Sequence, residues 1–207
     1  MASKQSMIPI VSKAFCSLSE VVLVVRRRPH VVNGGGFVVT DCKQRAIFSV
    51  DGCGILGKKE ELILRDANGN PLLLIRRKGG IVEALSITRT WKGYKNDFLG
   101  SQKLVFTLKE PNTLCLSNKN SIRISIESKE LSNYGNFEIR GDFSDKDCSI
   151  VNSRGDAIAQ VGVQEELEQV MTSKDLYHVS IKPGIDQAFV FGVIAILDYI
   201  YDGSTRC

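Results

Sequence analysis

The segment DQAFVFGVIAILDYIYDG, Asp186–Gly203, decides the fold. From Ala188 to Leu197, ten residues in a row carry no polar side chain. Pro183-Gly184 breaks what precedes it. Asp186 is placed to accept from the first free N–H groups of a helix, and Gly203 suits the position just past a helix end. A helix over 187–202 is about 24 Å long at 1.5 Å per residue. The hydrocarbon core of a bilayer is about 30 Å thick, and Asp198 would lie inside it, which argues against a transmembrane span. A helix lying on a membrane needs a broad charged face. Here Gln187, Asp198 and Asp202 make only a narrow stripe, and the middle turns are apolar all round. Such a helix is buried on every side.

The rest of the chain supplies the cover. Segments 20–26, 36–41, 45–50, 61–66, 71–78, 84–91, 103–109, 121–127, 136–141, 148–152, 157–163 and 176–182 are short and rich in Val, Ile, Leu, Thr and Phe. They read as strands. In SIRISIE, Ile122, Ile124 and Ile126 face one side and Arg123, Ser125 and Glu127 the other. FVVTDCKQRAIFSV, LILRDANGNPLLLI and CSIVNSRGDAIAQV each read as strand, polar turn, strand. Asn68-Gly69 supplies residues that accept positive φ in the second turn. Connections this short join antiparallel neighbours.

Eight strands close with just enough room for their own side chains, whereas around twelve leave a lumen. A helix with its side chains is about 10–12 Å wide. Closure also removes exposed sheet edges. The expected fold is mainly β: a twelve-stranded antiparallel closed barrel around a central hydrophobic C-terminal α-helix. A sandwich with the helix on one face is the alternative, and would leave half the helix wet.

GFVVTDCKQRAIFSVD, LILRDANGNPLLLIRRK, the W-x-x-Y of Trp91 and Tyr94, and DQAFVFGVIAILDYI resemble the plant LURP-one-related family. The resemblance runs over about residues 20–202 in order and spacing. It implies a fold similar to the tubby C-terminal domain and to phospholipid scramblases, and a setting in plant defence. Tubby-like domains bind phosphoinositides, but the basic residues of that site have no residue-by-residue match here. The acidic calcium-binding segment of scramblases is not seen beside the terminal helix. The resemblance implies no established reaction.

The 207 residues, 43% hydrophobic and 24% charged, describe a globular chain with a net charge of +4. That charge permits attraction to phosphates without demanding it. Residues 1–19 contain no acid and no arginine, and read as a loose N-terminal arm before a barrel domain over 20–207. Six cysteines, no CxxC and no secretory leader point to reduced thiols in a cytoplasmic protein, expected to be a monomer. With only His30 and His178, metal-ligand spacing is absent.

Gly52, Gly54 and Gly57 in GCGILGKK spell GxGxxG, and most of a phosphate-binding loop runs on to Lys58. Lys59 stands where such a loop needs Ser or Thr, and a hairpin follows where a helix should open. A glycine-rich connection between strands is the plainer reading, and no cofactor is expected. A cysteine or serine could pair with His178, but the strand LYHVSIK leaves the direction of that histidine open.

The basic groups are Arg26–Arg28, Lys58-Lys59 and Arg76–Lys78, with Arg89, Lys92 and Lys95 flanking Trp91 and Tyr94. On a strand Arg26 and Arg28 share one face, as do Arg76 and Lys78. If these strand ends meet at one rim, Arg26, Arg28, Lys58, Lys59, Arg76, Arg77 and Lys78 form a patch for anionic phospholipid or phosphoinositide headgroups. Trp91 is then the candidate membrane anchor. Solvated strand ends that discourage edge pairing are the alternative. The expected function is a non-enzymatic, membrane-associated module of the tubby-like type, peripheral at the plasma membrane. A protein-interaction adaptor with an unknown protein partner is the second reading, and an enzyme using the Gly52–Lys59 loop the third. No nucleic-acid motif appears.

Overall fold

Strands form where branched and aromatic residues alternate with polar ones, because alternate side chains of an extended chain point to opposite faces. The twelve strands are β1 Val21–Arg27, β2 Gly36–Thr40, β3 Ala46–Asp51, β4 Glu61–Asp66, β5 Pro71–Arg77, β6 Thr90–Asn96, β7 Gln102–Lys109, β8 Arg123–Ile126, β9 Phe137–Asp142, β10 Asp147–Val151, β11 Ala157–Gly162 and β12 Leu176–Ile181. Each pairs with its sequence neighbour, and β12 returns to β1, closing an antiparallel barrel. The closing seam runs from Val21 opposite Ile181 to Arg26 opposite Leu176. The structure, a computed structural model, describes residues 7–29, 35–52, 60–78, 89–96, 100–110, 122–127, 135–163 and 176–202.

The strand expected over 84–91 is displaced: β6 starts at Thr90 and runs to Asn96. Residues 84–88 lie outside the described residues. Trp91 and Gly93 are inward positions of β6, and Gly93 looks unpromising in sequence because it has no side chain to bury. The ring of Phe106 takes that space: a Cβ on Gly93 would stand 2.3 Å from it.

Helix α1, Gln187–Leu197, lies in the lumen with Ala188 through Leu197 all buried. One π-helical turn, Asp198–Asp202, continues it. Phe189 packs against Phe106 and Phe137 at ring-centre distances of 5.5 and 5.3 Å, and Phe191 against Phe48 at 5.5 Å. Burying each such ring stabilises the fold by about 1.5–3 kcal/mol. Gly192 marks a close approach to the wall, since a Cβ there would meet Leu73 Cδ1 at 2.8 Å.

The two ends of the barrel differ. The connections 28–35, 52–60, 78–89, 110–122 and 163–175 all leave the end where α1 finishes, here the upper end. The connections 41–45, 67–70, 97–101, 127–136 and 152–156 leave the lower end. Three of them share one geometry. Oδ1 of Asp41, Asp66 and Asn152 each accepts from the backbone N–H groups two and four residues on, at 2.8–2.9 Å. These are the three polar turns of the strand–turn–strand segments, and Gly69 takes φ +81° in the second.

The segment read as a loose arm is docked where it is described. Ile10 and Val11 are buried, and the Ile8 N–H donates to the Gly184 carbonyl at 2.8 Å. A short 3-10 helix, Lys13–Phe15, sets the Phe15 ring 5.1 Å from Phe48. Asp186 ties arm to helix. Its carboxylate accepts from the N–H groups of Val11 and Ser12 at 2.6 and 2.8 Å, and from those of Ala188 and Phe189 at 3.0 and 3.4 Å. Burial pushes its carboxyl above the usual range, and the four N–H donors oppose that shift. This pairing of a helix cap with a segment 175 residues away has no local sequence signal.

Candidate functional site

β1 and β5 run in the same direction, so Arg26–Arg28 and Arg76–Lys78 end at the same, upper end of the barrel. The strand ends therefore lie on the same rim, with three strands between them. Most of the guanidinium groups there are already engaged. Arg27 points into the barrel mouth, where its Nε donates to Asp198 Oδ1 at 3.0 Å, and Asp198 is wholly buried. Arg28 meets Asp51 at 2.9 Å, and Arg65 reaches the same carboxylate at 2.8 Å. Arg76 holds Glu61 at 2.6 Å. Arg77 bonds Glu60 and stands 3.6 Å from Glu110. Arg26 and Lys78 are exposed. Lys58 and Lys59 lie outside the described residues, as does most of the glycine loop.

Trp91 does not serve as a membrane anchor. An anchor must reach the interface, and Trp91 is 0% exposed. Its position on β6 turns it inward, its Nε1–H donates to Glu110 at 2.7 Å, and its ring meets Tyr199 edge-on at 4.8 Å. Glu110 thereby both satisfies the indole and faces Arg77. Beside this group opens a cleft of about 270 Å³ lined by Arg77, Arg89, Glu110, Tyr199 and Ile200.

A second polar group fills the same mouth. Tyr177 is buried, its hydroxyl has no hydrogen-bond partner among the described residues, and burial together with the Asp198 charge pushes its ionisation well above the ordinary value. Lys146 is buried too. Its Nζ lies 4.2 Å above the Phe143 ring and donates to the Phe143 carbonyl at 3.1 Å. These contacts help to stabilise its cation.

Two of the thiols offer little chemistry. Burial pushes Cys148 up to about 12 and Cys16 up to about 11, so the reactive thiolate is scarce. His178 is half-buried and its imidazole is held below its ordinary value by desolvation. Among the described residues no three His, Cys, Asp or Glu side chains gather as metal ligands, and no helix is long and apolar enough to cross a membrane.

Sequence reasoning passed over two cations. Lys109 and Arg123 stand opposite each other on β7 and β8, on the outer wall where it reaches the rim. Each falls at a strand end, and only the register reveals that they are neighbours.

The sequence model of the LURP-one-related family matches residues 21–198. The chain is 56% identical to protein LURP-one-related 6 of Arabidopsis thaliana over 200 residues, covering 96% of this chain and 98% of that one. It is 50% identical to protein LURP-one-related 16 of the same plant over 211 residues, covering 99% and 98%. A crystal structure of a protein from Arabidopsis thaliana superposes with a TM-score of 0.63 at 19% identity, over 92% of this chain and 97% of that one. That likeness concerns the fold alone.

Proposed function

The chain belongs to the LURP-one-related family, and from that premise we propose that it is a non-enzymatic module that docks on anionic phospholipid through the upper end of its barrel. The docking is peripheral, at the cytoplasmic face of the plasma membrane, with phosphoinositides among the lipids recognised. Plant defence is the setting that the family resemblance implies. One observation carries the reading: both basic tracts finish at the same end of the barrel. A basic surface near an anionic leaflet gains about 1 kcal/mol for each Lys or Arg that approaches it. The test is co-sedimentation of the full chain with vesicles of phosphatidylcholine alone, with phosphatidylserine, or with a phosphoinositide, at low and high salt. Binding that needs anionic lipid and fades with salt supports the reading. No binding to any vesicle at low salt overturns it.

A protein-interaction adaptor is the second reading, and a different surface favours it. Leu18 is 73% exposed and Val22 51% exposed, both at the lower end and away from the basic rim. A partner captured there would use apolar contact instead of charge.

A further inference from the structure

We infer that the lipid-binding face extends from the upper rim onto the outer wall of β6–β8, with Lys92, Lys109 and Arg123 as its principal cations, since the arginines of the tracts are largely engaged by carboxylates. This rests on the membrane reading above and names its site. Lys109 stands opposite Thr90 on one side and opposite Arg123 on the other, so the three share one face of the sheet. Lys92 lies on that face too, two residues along β6 and opposite Thr107. Such diagonal neighbours are about 7–8 Å apart, and like charges directly opposite repel.

Nearby acids relieve this repulsion only in part. Glu138 stands opposite Arg123 in register, but its carboxylate lies 3.6 Å from Arg140. Glu61 is held by Arg76, and Glu127 accepts from the Thr107 hydroxyl at 3.2 Å. None of the three cations makes an ion pair with a described residue, whereas Arg27, Arg28, Arg76 and Arg77 all do. Edge protection does not explain them, because a closed barrel has no edge to protect. Among the described residues the three cations outnumber the carboxylates beside them, and an anionic surface would complete the balance.

A lipid surface fits better than an acidic protein or a nucleic acid. Val163 and Tyr201 are exposed at the same end, at 39% and 43%. A phenol and an aliphatic tip at the end where the cationic wall reaches the rim match the boundary between headgroups and acyl chains.

The test compares four forms of the full chain by co-sedimentation with phosphatidylcholine vesicles containing phosphatidylserine. The wall variant is Lys92→Ser, Lys109→Ser, Arg123→Ser. The control, Lys13→Ser, Lys43→Ser, Arg154→Ser, lowers the net charge equally at the lower end. The conservative variant is Lys92→Arg, Lys109→Arg, Arg123→Lys. The expected loss for the wall variant is about fivefold per charge, on the order of a hundredfold in all. The control and conservative variants bind like the parent. The loss disappears at 1 M salt, where the Debye length is about 3 Å. Should the wall variant fold poorly, Arg123→Ser alone is expected to lose about fivefold. If the parent binds anionic vesicles and the wall variant binds equally, the assignment is wrong while the membrane reading stands. Equal losses in wall and control variants reduce the effect to net charge and also overturn the assignment. A parent that binds no vesicle removes both.

Discussion

Replacing Arg27 should cost far more than replacing an arginine on a protein surface. Its Nε lies 3.0 Å from Asp198 Oδ1, with side-chain exposures of 11% for the arginine and 0% for the aspartate. Arg27→Met leaves a carboxylate shut in the barrel mouth without this partner. Breaking a buried pair from one side costs about 3–5 kcal/mol, against about 0–1 for an exposed pair. In a chain of this size, each kcal/mol moves the melting temperature by about 2–4 °C, so the expected drop is roughly 6–20 °C. Asp198→Leu strands the guanidinium and should fall in the same range. The double variant removes both charges and fills the space with apolar atoms. It should lie within about 1 kcal/mol of the parent or above it. Urea unfolding of the four proteins closes the cycle. If each single change costs under about 1 kcal/mol, or if the two losses simply add, water reaches the pair and the helix end is not sealed.

At Gly192, an added methyl must push Leu73 aside from 2.8 Å. Overpacking costs about 1–3 kcal/mol, and replacing glycine in a helix returns about 1, so Gly192→Ala should destabilise by up to about 2 kcal/mol in urea titration. Gly192→Arg would bury an unpaired charge and should yield no soluble folded protein; a soluble variant that melts like the parent refutes the enclosed helix. His178 gives the pH dependence. Its folded value is depressed, so the unfolded chain takes up the proton first as pH falls. The stability it contributes is present above 6.5 and is lost as pH falls from there toward the folded value. His178→Gln should flatten that stretch of the stability–pH curve, and an unchanged slope refutes it.

Local periodicity made much of the barrel legible. Eleven of the strands overlap closely the segments named by alternation, because a half-buried strand writes its two faces into the chain. β6 was shifted because its inward positions are Trp91 and Gly93, and Phe106 of the next strand supplies the bulk that Gly93 lacks. The helix was legible for a different reason: ten apolar residues leave no wet face. The candidate site was legible only in its location. Alternation put Arg26 and Arg28 on one face, but the inward turn of Arg27 shows only in its partner Asp198, 171 residues away. Trp91 was misjudged because a tryptophan flanked by cations resembles an interfacial anchor until register sets it against Glu110. Lys109 facing Arg123 depends on the pairing of β7 with β8, which two separate strand ends do not announce.

The position of α1 in the chain governs how the protein can be made. The helix that fills the lumen follows all twelve strands, so a ribosome delivers the lining before the filling. During that interval Phe48, Phe106, Phe137 and the other inward side chains have no helix to pack on. The contacts that complete the molecule link residues 171 and 175 apart, and neither can form until the last part of the barrel domain has emerged. Contacts this distant slow folding toward the millisecond-to-second range or beyond, since loop closure precedes any gain from packing. The nascent chain is thus an exposed apolar sheet for most of its synthesis, and a client for chaperones that hold rather than fold.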